Sequence, residues 1–242
     1  MKTSILRLSM ALVATAFLLS GCLKSSDTTT PTPPKAYVSI MHLAPTGPSL
    51  DVFFSGTTDK KVSNEPFAPG NVTSIYNAID KGAFAVKFKK AGSDSIVAEV
   101  PLAQYDSLNF YTIFVYNTQS GGAVSAIRIR DDFSQLTPNK PYYRFFHASP
   151  NTAAVDLYID NVKIQSGRMH ADNVSHETLN RFQETNPGIH SVQVKLAGTD
   201  TAIATLNTVD LLDGNVYTFY LRGLDGGTGT SQLSIGVLRA IN

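Results

Sequence analysis

From Tyr37 onward, apolar and polar positions alternate, break at a turn, and alternate again. Val38, Ile40 and His42 fall on one face of a first strand. Leu50, Val52 and Phe54 fall on one face of the next, which leaves Asp51 and Phe53 on the other. Pro45, Gly47 and Pro48 punctuate the turn between them. Phe84, Val86 and Phe88 then alternate with Ala85, Lys87 and Lys89, and Ala91-Gly92-Ser93-Asp94 reads as a hairpin loop. Ile96 to Leu102, Phe110 to Tyr116 and Val124 to Ile129 read as further strands. Only Gly167 to Arg181 offers a short helical stretch. Short strands separated by regular turn signals predict an all-β chain built as a β-sandwich.

The pattern occurs twice. Met41-His42-Leu43-Ala44-Pro45 through Leu50-Asp51-Val52-Phe53 aligns without a gap on Phe146-His147-Ala148-Ser149-Pro150 through Val155-Asp156-Leu157-Tyr158. His42 falls on His147, Pro45 on Pro150, and Asp51 on Asp156. Further on, Gly82 to Lys89 falls on Gly188 to Lys195, Ala91-Gly92-Ser93-Asp94 on Ala197-Gly198-Thr199-Asp200, and Tyr111-Thr112 on Tyr217-Thr218. Two copies of this length are not a solenoid, whose units are shorter. They predict two tandem immunoglobulin-like β-sandwiches, at residues 37–133 and 142–242. Residues 134–141, within the acid- and Pro-bearing stretch Asp131 to Pro141, read as the linker.

The N-terminus changes the picture. Lys2 and Arg7 precede an apolar run, Leu8 to Leu19, that is short for a membrane span. It ends at Leu19-Ser20-Gly21-Cys22, which holds the chain's only cysteine. This box resembles the bacterial lipoprotein signal, in which the Cys becomes the first residue and carries lipid. Residues 1–21 are then the signal peptide. Several acyl chains on Cys22 would anchor the protein stably to a membrane. Residues 22–36, rich in Thr and Pro, read as an extended tether. Leu23 stands where Asp would resemble an inner-membrane retention signal, so the expected address is the outer membrane.

Net charge is +1, and about −1 once Lys2 and Arg7 leave with the signal peptide. No basic field is present to attract nucleic acid. With Cys22 acylated no disulfide can form, so the core must hold the fold alone.

The motif His-Ala-Ser-Pro at His147 to Pro150, then Val155-Asp156-Leu157-Tyr158, a Gly-containing turn at Pro187-Gly188, Ala197-Gly198, and the Tyr217-Thr218 strand together resemble the domain-of-unknown-function family 4397. In the first copy Leu43-Ala44 replaces Ala-Ser and Phe53 replaces Tyr. The resemblance implies a β-sandwich and a cell-envelope address. It implies no activity.

His42 with Asp51, and His147 with Asp156, are the candidate chemistry. A His–carboxylate pair is raw material for general base catalysis, and an envelope hydrolase using His147 and Asp156 is the enzymatic alternative. The structural reading is a His–Asp bond that pins the turn. It is favoured because His147 shares a strand face with Tyr143 and Phe145, and because no nucleophile recurs beside the pair: Ala44 stands where Ser149 does. His170, His176 and His190 lack zinc-site spacing, so no metal and no cofactor is expected. Asp-(Ser/Thr)-apolar triplets place possible O-glycosylation at Thr28, Ser95, Ser107 and Thr201. The expected role is a non-enzymatic binding or scaffolding module with a glycan or envelope protein as partner, Phe53, Tyr158 and Tyr220 being candidate contact aromatics. A purely structural envelope component is the remaining alternative.

Overall fold

The structure is a computed structural model that describes residues 33–175 and 177–241. The expected signal peptide, Cys22, Thr28 and His176 lie outside the described residues. Strands follow the sequence pattern closely. β1 (Lys35–His42), β2 (Leu50–Ser55), β5 (Gly82–Lys90), β6 (Ile96–Tyr105), β7 (Phe110–Asn117) and β8 (Val124–Asp131) are the strands the alternation predicts. β3 (Asp59–Lys61) and β4 (Asn77–Asp80) are additions, too short and polar to carry a periodic signal.

The second copy repeats the set. It comprises β9 (Tyr142–His147), β10 (Val155–Ile159), β11 (Val162–Arg168), β12 (Gln183–Glu184), β13 (Gly188–Leu196), β14 (Ala202–Leu211), β15 (Asn215–Arg222) and β16 (Ser234–Ile241). The expected helical stretch is one turn, α1 (Asp172–Ser175), followed by a 3-10 turn at Glu177–Asn180.

Each copy is a sandwich of two four-stranded sheets. The orders are β4-β1-β7-β8 over β3-β2-β5-β6, and β12-β9-β15-β16 over β11-β10-β13-β14. All pairs are antiparallel except β1 with β7 and β9 with β15. The immunoglobulin-like detail of the expectation is not confirmed. In that arrangement the first two strands share a sheet, whereas here β1 and β2 lie in opposite sheets because the turn from Leu43 to Ser49 carries the chain across the core.

The inner core of the first copy joins Val38, Ile40, Val52, Phe54, Val86, Phe88, Ile113 and Val115. That of the second joins Tyr143, Phe145, Leu157, Val192, Val194, Phe219 and Leu221. A third core unites the copies: Met41, Leu43, Phe114 and Tyr116 pack on Phe146, Ala148, Tyr220 and Leu238. The sheets containing β1 and β9 are therefore buried on both faces, which is why β7 and β15 read as unbroken apolar runs. Pro34–Asn242 is one compact unit.

At the seam sits Arg144, fully buried. It pairs with Asp131 at 2.5 Å and donates to Thr218 Oγ1 at 2.9 Å and Thr112 Oγ1 at 2.7 Å. Tyr76 and Thr112 also donate to Asp131, each at 2.6 Å. Asp131, the first residue of the acid- and Pro-bearing stretch, is the buried counter-ion between the copies.

Candidate functional site

The repeated motif is built into the fold. His42 and His147 are both 0% exposed. His42 Nε2 lies 2.9 Å from the Pro48 carbonyl and His147 Nε2 3.1 Å from the Ala153 carbonyl. A carbonyl only accepts, so Nε2 carries the proton in both copies. Each ring thus closes its own Pro-containing loop back onto its strand. Burial is the main influence on both imidazoles. It holds His42 below the ordinary histidine value and drives His147 down to about 4. The main chain of His147 is held in turn by Asn173, which accepts from its N–H at 3.2 Å and donates to its carbonyl at 2.5 Å.

The two aspartates do something else. Asp51 accepts from the Gly92 N–H at 3.1 Å and pairs with Lys61 at 2.8 Å. Asp156 pairs with Lys163 at 2.7 Å and accepts from Gly167 N–H at 2.8 Å and from Gly198 N–H. Gly92 and Gly198 are equivalent residues of the hairpin loops, with φ of 70° and 75°. The aspartate and the Ala-Gly loop therefore recur together because one binds the other. The expected His–Asp bond does not form. Asp51 and Asp156 sit on the outer side of their sheet, as alternation required, while the histidines lie on the core side of β1 and β9. Ser149, the candidate nucleophile, is buried and bonded to Thr152 Oγ1 at 2.7 Å. Pro45 and Pro150 lie in the loops that the histidines close.

The other expected contacts divide. Tyr220 is 6% exposed and belongs to the core between the copies, which corrects its reading as a surface aromatic: β15 has no solvent face. Phe53 and Tyr158 are half-buried on outer sheets, covered by Lys89 at 4.5 Å and Lys195 at 4.4 Å respectively. Ser95 and Thr201 are exposed in equivalent hairpins, and Ser107 is half-buried beside Leu108. Among the described residues there is no cluster of three or more metal-binding side chains.

A concave feature lies elsewhere, between the sheets of the first copy. A cleft of about 600 Å³ opens between the short edge strands β3 and β4. Val38, Ile40, Val52, Phe54, Phe67, Ile79 and Phe84 form its apolar walls. Lys35, Lys60, Asn64, Glu65, Asn77 and Asp80 stand around it. Lys35 and Asp80 pair at 2.5 Å. The second copy has larger side chains at the equivalent positions. Tyr143 and Phe145 occupy the positions of Val38 and Ile40, and the Tyr143 hydroxyl donates to Gln183 at 2.8 Å. Arg168 lies opposite Val155, where Phe67 lies opposite Leu50, and its guanidinium covers the Phe145 ring at 5.6 Å. Gln165 and Asp172 hold that guanidinium. β11 is seven residues long where β3 is three. Sequence reading missed the cleft. Its only signal there is the substitution of Val38 and Ile40 for Tyr143 and Phe145 in an otherwise well-matched repeat.

These features define a class: a two-lobed all-β protein made from one eight-stranded sandwich used twice, with a cleft between the sheets of the first. A family profile described as "Domain of unknown function (DUF4397)" matches residues 36–158 and 141–235, and the chain belongs to that family. The comparison with curated proteins gave no match.

Proposed function

We propose that the protein is a lipid-anchored, non-enzymatic binding module of the cell envelope, held at the outer membrane through Cys22, with the cleft of the first copy as its ligand seat. The cleft carries this reading. Its volume lies in the range of small-molecule sites, and it joins apolar walls to a few polar groups. The second copy, closed by Tyr143 and Arg168, serves as a rigid support. The lipoprotein box and the Thr/Pro tether support the anchor and the address. The non-enzymatic reading is supported by His147 and Asp156 being engaged separately, each with main-chain groups, rather than with each other. Ser95 and Thr201, exposed on matching hairpins, are the proposed O-glycosylation positions among the described residues, with Ser107 less open.

Two measurements test this. Wild type and Cys22→Ala are expressed in a Gram-negative host and fractionated. The wild type is expected in membranes and Cys22→Ala in the soluble fraction; recovery of both in the same fraction would contradict the anchor. Binding of an environment-sensitive apolar dye is then compared between Cys22→Ala and the same chain carrying Val38→Tyr and Ile40→Phe. Loss of binding in the filled variant is expected, and equal binding would exclude the cleft.

A further inference from the structure

We infer that the ligand of the cleft is a single acyl chain, inserted tail-first with its polar head at the mouth. The inference rests on the cleft being a ligand site and adds the chemistry of its occupant. The space follows β1 from Lys35 to Ile40, a span of five residue steps of extended chain, or about 17 Å at the rise of a strand. It lies between two sheets and runs along a strand, which suits an extended alkyl chain.

The hydroxyls of the inner wall are already engaged with the main chain and with each other. The Ser63 hydroxyl accepts from the Val52 N–H at 3.0 Å. Thr73 Oγ1 is bonded to Ser39 at 2.9 Å and to the Ile40 N–H at 3.0 Å. None of the buried, unpaired side-chain polar atoms among the described residues belongs to the cleft wall. A ligand with polar groups along its body would set them against Val38, Ile40, Val52 and Phe54, which offer side-chain partners to none of them. Charged groups stand along the opening, with Lys35 and Asp80 on one side and Lys60 and Glu65 on the other. Charges of both signs there suit an uncharged or zwitterionic head as well as an anionic one.

The second copy is the internal control. The equivalent gap is filled by Tyr143, Phe145 and the arginine laid on its ring, so the sandwich closes itself where it has the side chains to do so. The first copy has Val38 and Ile40, and its filling must come from outside. An acyl chain has two sources here: a free amphiphile, or the lipid proposed on Cys22, whose tether joins the fold beside Lys35 at the cleft.

The test uses the chain from Cys22 onward carrying Cys22→Ala and Val62→Trp. The protein has no tryptophan, and Val62 lies at the cleft with its side chain partly exposed, so the new indole is a single local reporter. Parinaric acid is titrated and energy transfer from the indole is followed. Saturation at one probe per chain is expected, displaced by hexadecanoic acid and hexadecanol but not by hexanol. Adding Val38→Tyr and Ile40→Phe should weaken binding at least tenfold.

The length series stands even if that filled variant does not fold. Displacement by pyrene but not by hexadecanol would overturn the acyl-chain inference while leaving an apolar ligand site in place. No saturable transfer with either probe would overturn both. Repeating the titration on acylated protein in lipid nanodiscs separates the sources. Unchanged capacity assigns the chain to a free amphiphile, and lost capacity assigns it to the protein's own lipid.

Discussion

A buried imidazole that donates its one proton to a carbonyl is a structural part, and it makes the fold acid-sensitive. His147 falls from the ordinary value of 6.5 to about 4 on burial. The unfolded chain therefore takes up a proton first as pH falls. Stability is fully present above pH 6.5 and is lost progressively down to about 4, by roughly 3 kcal/mol from this one residue at 1.36 kcal/mol per unit. His42 is lowered too and acts in the same sense. Asp51 and Asp156 are both held below 3.8, so their contribution is lost only at still lower pH. Chemical denaturation between pH 7 and pH 4 should show a falling midpoint. The fall should be smaller in His147→Gln, whose side chain does not titrate. His147→Ala should cost about 1–3 kcal/mol for the lost bond and leave a cavity besides. An unchanged midpoint in either experiment would count against a structural role. That these histidines are buried was legible, because His147 shares parity with Tyr143 and Phe145. Their partners were not: a carbonyl several residues along a loop leaves no mark in residue type, and an aspartate in the same motif does.

Leu108 is a second residue-scale case. It sits 68% exposed in a left-handed turn, with φ of 61°, where the equivalent Gly214 has φ of 72°. A β-carbon in that conformation costs on the order of 1 kcal/mol. Leu108→Gly is therefore expected to raise the melting temperature by a few degrees, and a lowered value would show that Leu108 makes a compensating contact.

At the scale of the element, what can be read depends on how many faces a strand buries. β5 and β13 bury one face, and their alternation located them correctly. β7, β9 and β15 bury both. Their continuous apolar runs were visible, but the run alone does not say what lies on the far side, so Tyr220 was read as exposed. The one misfit in such a run, Arg144 between Tyr143 and Phe145, was the available signal of a buried polar junction. Removing one partner of a buried ion pair costs about 3–5 kcal/mol, because the other is left unpaired. Arg144→Ala should destabilise by that amount. Arg144→Met with Asp131→Leu should recover much of it. A double variant as weak as the single would show that the lost stability comes from packing rather than from an uncompensated charge. β3 and β4 escaped notice because Asp59-Lys60-Lys61 and Asn77 to Asp80 are short edge strands with little burial, and the cleft between them escaped with them.

At the scale of the whole molecule, the duplication accounts for both the stability and the asymmetry. The copies share a core of Phe114, Phe146, Tyr220 and their neighbours, so they should unfold together. Calorimetry is expected to give one transition with matching calorimetric and van't Hoff enthalpies, and two separated transitions would mean the seam is weaker than its burial implies. The two copies then diverge along the edge strands and the gap between their sheets. Tyr143, Phe145 and Arg168 close the second sandwich, and Val38, Ile40 and the short β3 leave the first open. The stoichiometry of ligand binding addresses this directly. Titration calorimetry of the folded chain from Cys22 onward, carrying Cys22→Ala, with an apolar probe should give one site per molecule, abolished by Val38→Tyr with Ile40→Phe. Two sites per molecule would mean the second sandwich opens as well, and none would mean the cleft of the first is not a binding site.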